Sequence, residues 1–177
     1  MSFLDRLLGR PTEPAAATWP AMVLVPTGLD PMSSGRNKFM RGFYIRDADT
    51  DRGISYEELS ELVPGAFVFN VAGTSHRQDA LQGPAFAPGE PVKLIPEPEN
   101  PYDRNAIAVW DTNRRKHIGY VPADLAPTMG RIFRSREPFG ATVFFEFLQG
   151  KRRMALSVLV APAAFLQTLT IEDEEDA

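Results

Sequence analysis

The side chains with the clearest capacity for chemistry lie in residues 99–109, which read Glu-Asn-Pro-Tyr-Asp-Arg-Asn-Ala-Ile-Ala-Val. An Asn-Pro pair begins a turn and biases the residue before the proline towards extended backbone. Asp103 can accept backbone hydrogen bonds two residues on, and Asn105 tolerates left-handed geometry. The turn therefore places Tyr102, Asp103 and Arg104 together at the start of an apolar strand. A flat ring, an acceptor and a cation held there could meet a nucleotide or a peptide end.

Short strands and turns must position this run, because sixteen prolines and thirteen glycines disfavour long helices. Apolar alternation and turn residues predict strands over residues 21–25, 39–45, 66–72, 91–96, 106–111, 116–121, 141–148 and 152–160. Helices are expected over residues 55–62 and from Pro122 to about residue 133. The pattern predicts a mainly β fold with short helices, of the α+β class, built around a small barrel of about six strands.

The domain organisation is predicted from shifts in composition. Residues 1–20 are expected to form a short helix followed by a linker rich in proline and alanine. Residues 21–65 form an extension with no functional interpretation, and residues 66–160 form the barrel domain. Residues 161–177 are expected to hold a C-terminal helix and an acidic tail.

Composition excludes several classes of function. The chain has no cysteine, so disulfides and thiolate metal sites are excluded. His76 and His117 lack the spacing of a zinc site, and no phosphate-binding loop of an ATPase is present. We therefore expect no metal, no cofactor and no catalysis. The apolar runs are too short to span a bilayer and no export signal is evident, so a cytoplasmic location is expected.

Charge is distributed unevenly along the chain. The net charge is −4, but five acidic residues lie at positions 172–176, and the remainder holds 19 basic and 18 acidic residues. The segment from Arg104 to Arg153 contains ten Lys or Arg residues but only four Asp or Glu residues. Two basic runs occur at predicted hairpin tips: Arg114-Arg115-Lys116 and Lys151-Arg152-Arg153. Such tips are usually just solvated, but the local basic excess favours contacts with phosphates.

The order of these motifs resembles the HIRAN domain, found at the N-terminus of SWI/SNF-type fork-remodelling helicases and as stand-alone bacterial proteins. The resemblance covers roughly residues 66–160. It rests on Val-Ala-Gly at 71–73, Pro-Val-Lys-Leu-Ile-Pro at 91–96, Asn-Pro-Tyr-Asp-Arg-Asn-Ala-Ile-Ala-Val at 100–109 and His-Ile-Gly-Tyr-Val-Pro at 117–122. It implies an OB-like or SH3-like barrel that binds single-stranded DNA at its 3′ end.

Roles for individual residues follow from that resemblance. It implies that Tyr102 stacks on a base and that Asp103 accepts a hydrogen bond from the terminal 3′-hydroxyl. A carboxylate repels phosphate, so a carboxylate in a DNA pocket suits a strand that ends in a hydroxyl. Helicase-type members carry an arginine and tyrosines in the loop after the first strand. Here residues 74–78 read Thr-Ser-His-Arg-Gln, where His76 and Arg77 could hold a base face and a phosphate.

The predicted DNA-binding set is therefore broader than the turn itself. It comprises Tyr102, Asp103, Arg104, His76, Arg77, Asn100, Tyr120, Arg114, Arg115, Lys116, Lys151, Arg152 and Arg153. Each has an ordinary structural interpretation: Tyr102 could cap the barrel, Asp103 could serve only the turn, and Tyr120 could lie in the core. The aromatic residues at 144, 145 and 147 are expected in the core.

Two alternatives come from other classes of function. The acidic total charge and an apolar face in residues 1–10 suit an adaptor that binds a peptide in the barrel groove and a protein partner through residues 1–65. A metal-dependent nuclease would use Asp103, Glu146 and Lys151, although their spacing matches no convincing metal-binding pattern.

Overall fold

The computed structural model describes residues 19–32, 37–135 and 137–172, and it is mainly β with short helices. The strands are β1 (Met22–Pro26), β2 (Asp30–Pro31), β3 (Lys38–Asp47), β4 (Gly53–Ile54), β5 (Phe67–Asn70), β6 (Val92–Pro96), β7 (Ile107–Asp111), β8 (His117–Tyr120), β9 (Phe139–Gln149), β10 (Arg152–Pro162) and β11 (Thr170–Ile171). The helices are α1 (Tyr56–Leu62), α2 (Gln78–Leu81), α3 (Ala126–Phe133) and α4 (Ala163–Leu166), with single 3-10 turns at Thr74–His76 and Pro84–Phe86.

These strands form two sheets. The larger has the order β11-β1-β3-β9-β10-β5, with β2 and β4 pairing with β3. The smaller is an antiparallel meander of β6, β7 and β8. Isolated bridges join the two sheets at Ala72 with Tyr120 and at Pro91 with Thr142. The mainly β class is confirmed, but within the described residues the sheets do not close into the predicted barrel.

The hairpin of β9 and β10 forms the centre of the molecule, because both faces of these strands are covered. Successive strand side chains point to opposite faces. On β10, Leu156, Val158 and Val160 pack into one core cluster with the β6–β8 sheet and α3. Leu159 and Ala161 enter a second cluster with β1, β3 and α1. A strand buried on both faces has a nearly continuous apolar sequence, and the sequence analysis predicted a strand over residues 152–160.

Most of the predicted elements are confirmed within a few residues of their bounds. The exception in length is the helix expected from Pro122, which begins at Ala126. The Pro122 carbonyl accepts hydrogen bonds from the backbone N–H of Leu125 and Ala126, so a turn precedes the helix. Sequence patterns missed the two-residue strands β2, β4 and β11 and the helix α2, which are too short to show a period.

The segment predicted as an extension shares a sheet with the rest of the chain. Strand β3 pairs with β9 over five residue pairs, and β1 pairs with both β3 and β11. The boundaries at residues 65 and 160 stay predictions, and residues 1–18, including the predicted helix, lie outside the described part.

Phe144 and Phe145 are buried and Phe147 packs against their cluster, so the prediction that they are core residues is confirmed. In the described residues no helix is long and apolar enough to cross a membrane.

Candidate nucleic-acid interface

The turn at residues 97–106 is held by a set of local hydrogen bonds. The side-chain Oδ1 of Asn100 accepts from the backbone N–H of Tyr102 at 3.0 Å and of Asp103 at 3.3 Å. The Asn105 N–H donates to Asp103 Oδ1 at 2.8 Å. The Ala106 N–H donates to the Asp103 carbonyl at 3.0 Å, which leads directly into β7. Such side-chain acceptors fix a turn without help from the core.

Tyr102 projects from this turn into solvent. Its exposed fraction is 96%, the highest of the large apolar or aromatic side chains that the structure describes as exposed. A large ring normally contributes most when it is buried. Tyr102 therefore does not cap the core, and its ring is free to stack on a ligand.

A close contact between the two sheets positions the opposite wall of the groove. Ala72 and Tyr120 exchange backbone hydrogen bonds of 2.8 and 2.9 Å. The contact requires glycine at 119, where φ is +149° and a Cβ would lie 2.2 Å from the Ala72 carbonyl oxygen. The residues after Ala72 enter the 3-10 turn and then α2. This brings Arg77 next to the end of β8.

Arg77 and three rings form a continuous row beside the turn. The Arg77 Cζ lies 5.9 Å from the centroid of the Tyr120 ring, within cation–π range. Tyr120 meets His117 edge to face at 4.8 Å, and His117 stacks on Trp110 at 4.8 Å with an interplanar angle of 15°. The sequence did not identify Trp110 or His117 as neighbours of the site. The pairing of β7 with β8 could have revealed them, because residues paired across two neighbouring strands lie on the same face of the sheet.

The surroundings of the His117 ring favour its neutral form. Burial lowers its pKa, and Arg77 lowers it further, while a hydrogen bond to the Gly119 carbonyl and the charge of Glu97 act in the opposite direction. The ring Nε2 lies 2.8 Å from that carbonyl oxygen, so Nε2 carries the proton and donates it. A neutral, oriented imidazole keeps the row of rings stacked without adding a charge to the groove.

These elements enclose one groove with a volume of about 380 Å³. Five predicted site residues line it together: Arg77, Asn100, Tyr102, Asp103 and Tyr120. The remaining lining is small or apolar: Ala72, Ala106, Val121 and Ala123. His76 is exposed in the neighbouring 3-10 turn, outside the groove lining. Three separate stretches of the sequence, at residue 77, residues 100–103 and residue 120, thus converge on a single surface.

The basic hairpin tip between β7 and β8 lies apart from that lining. Burial of Asp111 opposes its ionisation, but hydrogen bonds from the backbone N–H groups of residues 113, 115 and 116 outweigh burial and lower its pKa. The ionised Asp111 therefore pins the tip, where Arg114 and Arg115 are exposed. Lys116 is partly engaged, because its Nζ donates to the Gln82 carbonyl at 3.0 Å.

The second basic tip is divided between solvent and interior. Lys151 and Arg152 are exposed, and Arg152 lies 3.9 Å from Asp79. Arg153 is buried, with its Nε donating to Glu146 at 2.7 Å and its Nη1 to the Leu81 and Gly83 carbonyls. Its guanidinium faces inward, which corrects the predicted set: Arg153 is left out of the proposed interface.

Glu146 is occupied by two arginines. Its side chain is 1% exposed, and Arg41 donates to it through Nε at 2.8 Å and through Nη2. Glu146 and Asp103 line different cavities. In the described ranges no three His, Cys, Asp or Glu residues are placed to hold a metal ion. The geometry gives the nuclease alternative no assembled site.

A mainly β domain that presents an exposed ring, a carboxylate and a cation in one groove has features suited to binding a nucleic acid. The sequence model of the HIRAN domain matches residues 64–146, so the chain carries a HIRAN domain there. A match to this family supports nucleic-acid binding as the function of the domain. The predicted resemblance is confirmed.

Two solved structures show similarity to this chain. The HIRAN domain of human HLTF is 22% identical, with 56% of this chain and 78% of that chain covered at a TM-score of 0.40. A protein from Lactobacillus plantarum is 21% identical, with 55% and 99% covered at a TM-score of 0.39. No curated protein matches the chain.

Proposed function

We propose that the chain binds single-stranded DNA, with a preference for the 3′ end, in the groove between the turn at 97–106 and Arg77. The observation that carries the proposal is the solvent-exposed Tyr102 ring beside Asp103 in a groove that also holds Arg77. The family match supports the nucleic-acid part of this proposal. The end preference is what the resemblance to the HIRAN domain implies, and the chemistry of the groove supports it.

Stacking is the proposed role of Tyr102. A base on an exposed aromatic ring contributes about 1–3 kcal/mol and is tolerant of sequence. The turn beneath Tyr102 is already fixed by Asn100, so ordering the backbone adds little to the cost of binding. Tyr120, which lies beneath Arg77, offers a second ring on the opposite wall.

Recognition of a terminal hydroxyl is the proposed role of Asp103. Its Oδ1 accepts from Asn105, whereas its Oδ2 makes no hydrogen bond within the described part of the chain. An ionised oxygen can accept from a 3′-hydroxyl but repels a phosphate at the same position. A strand that continues past the groove would therefore be disfavoured.

Cations supply the attraction for phosphates. Arg77 lies in the groove, and Arg114, Arg115, Lys151 and Arg152 are exposed on the two hairpin tips outside its lining. These contacts position a strand without reading its sequence. We place this activity in the handling of DNA ends during replication or repair, as a binding module with no catalytic step.

Fluorescence anisotropy tests the proposal with three labelled ligands: a 3′-hydroxyl oligonucleotide, the same strand with a 3′-phosphate, and a blunt duplex. We expect salt-sensitive binding that is tightest for the 3′-hydroxyl strand. Equal affinity for the first two ligands would remove the end preference. No salt-sensitive binding to any of them would remove the nucleic-acid function.

The adaptor alternative has a separate experimental outcome. It predicts that a protein partner is captured through residues 1–65 in a pull-down, and that the capture persists after nuclease treatment. Residues 22–54 of that segment supply strands to the large sheet, so a partner has their exposed faces, the exposed side of α1 or residues 1–18 to contact. The predicted protein partner stays a prediction.

A further inference from the structure

A second groove lies on the other side of the same turn. Its volume is about 320 Å³, and Ala106 lines both this groove and the first. Asp103 faces the first groove, whereas the next residue, Arg104, lines the second. Successive Cα atoms are about 3.8 Å apart, so the two grooves are separated by little more than the width of the turn.

Helix α3 forms the far wall of the second groove with one face. Pro127, Gly130, Arg131 and Arg134 line it, with spacings of three, one and three residues. Residues at i, i+3, i+4 and i+7 share one side of a helix or its immediate C-terminal continuation. Gly130 leaves the centre of this wall flat, and a Cβ there would lie 3.5 Å from Arg134 Nη1. Arg131 donates to Thr128 Oγ1 at 3.0 Å, which orients its guanidinium.

Positive charge dominates this groove. Arg104, Arg131 and Arg134 are its only charged lining residues, all three are exposed, and none forms an ion pair with another described residue. By contrast, Arg52 is neutralised by Glu58. Arginine is suited to bind phosphate, because its planar fork donates two parallel hydrogen bonds.

We propose that this second groove, here called the arginine groove, binds the phosphodiester backbone of a nucleic acid whose end lies in the Tyr102 groove. The inference rests on the proposed function and adds a second contact region to it. The phosphates belong either to the same strand, upstream of its end, or to a complementary strand. Both sources present the same chemistry, and each strand of a duplex carries about one phosphate per 3.4 Å of helix axis.

The salt dependence of binding tests the arginine groove. Affinity is measured by anisotropy across a series of salt concentrations for two proteins. One is the unmodified chain, and the other is the double variant that carries both Arg131→Ala and Arg134→Ala. The ligands are a single strand of about 12 nucleotides and a duplex with a short 3′ overhang. Removal of two phosphate contacts makes the slope of log K against log salt shallower by about 1.4 on single strands or 1.8 on duplex. A change with the single strand assigns the groove to the same strand, and a change only with the duplex assigns it to the complement.

Three control variants keep the two proposals separable. Arg52→Ala removes a cation already paired with Glu58 and is expected to leave the slope unchanged. Arg131→Lys with Arg134→Lys keeps the charge and should retain most of the slope. Tyr102→Ala should weaken binding with little effect on the slope, because stacking releases no counterions. Loss of affinity in Tyr102→Ala together with an unchanged slope in the double alanine variant overturns the arginine groove alone. Absence of binding by the unmodified chain overturns both proposals.

Discussion

The cluster around Glu146 and the groove around Tyr102 use similar residue types in opposite ways. Glu146 is buried between Arg41 and Arg153, and every charge in that cluster faces another. Asp103 lies in an open groove with Arg77, and Tyr102 beside it is almost fully exposed. A buried charge must be paired to be tolerated, whereas an exposed one is available to a ligand.

The difference shows why a basic run in the sequence does not by itself identify a binding surface. Arg152 and Arg153 are adjacent in sequence, but one is exposed and the other is buried against Glu146. Alternation along β10 decides the direction of each side chain. We therefore expect substitutions in the Glu146 cluster to change stability, and substitutions in the Tyr102 groove to change binding.

The largest effect is expected for Glu146→Ala. Removing one partner of a buried ion pair typically costs about 3–5 kcal/mol, because the remaining charge stays buried and uncompensated. The free energy of unfolding, measured by urea denaturation, should fall accordingly. Glu58→Ala breaks the exposed pair with Arg52 and is the control, with a much smaller effect. Similar losses in both variants would contradict the contrast between buried and exposed charges.

Tyr102→Ala is expected to change binding without changing stability. The free energy of binding to a 3′-hydroxyl strand should weaken by about 1–3 kcal/mol. The urea midpoint should stay the same because the ring is not packed in the core. Tyr102→Phe keeps the stacking face and should retain most of the affinity. Full affinity in a folded Tyr102→Ala protein would refute the stacking role.

Asp103→Asn separates the turn from end recognition. Asparagine keeps an oxygen that can accept the Asn105 N–H, so the turn should be preserved. The negative charge is lost, and with it about 1 kcal/mol of a charge-assisted hydrogen bond to the 3′-hydroxyl. Anisotropy should show weaker binding of the 3′-hydroxyl strand and stronger binding of the 3′-phosphate strand. An unchanged ratio of the two affinities would leave Asp103 with a role in the turn only.

The smallest effect is a pH dependence of stability from His117. Its pKa is lowered in the folded state, so below its ordinary value of about 6.5 the unfolded chain binds a proton that the folded chain resists. Stability should therefore decline as pH falls through this range and level off below the folded pKa. Asp111, whose pKa is lowered from 3.8, acts only at more acidic pH.

His117→Phe isolates this contribution, because phenylalanine can stack on Trp110 but does not titrate. Thermal unfolding midpoints between about pH 7.5 and 5.5 should change less in the variant than in the unmodified chain. An equal change in both proteins would show that other groups dominate this range.

Local patterns predicted the fold better than they predicted the site. Alternation and turn residues located the strands, and the Asn-Pro-Tyr-Asp run located Tyr102 and Asp103. Their convergence with Arg77 depends on the close approach at Gly119, which is a contact between two sheets. The inward direction of Arg153 and the arginine face of α3 depend on strand and helix placement. Such information is tertiary and does not follow from a local run of residues.

NMR titration of the isotopically labelled chain with a short 3′-hydroxyl oligonucleotide tests the central claim most directly. We predict that backbone amide signals shift at Asn100 and at residues 102–105, around Arg77 and around Tyr120, while the signals of Glu146 and Arg153 stay in place. Shifts centred on Glu146 and Arg153, with none at Tyr102 and Asp103, would contradict the assignment of the groove.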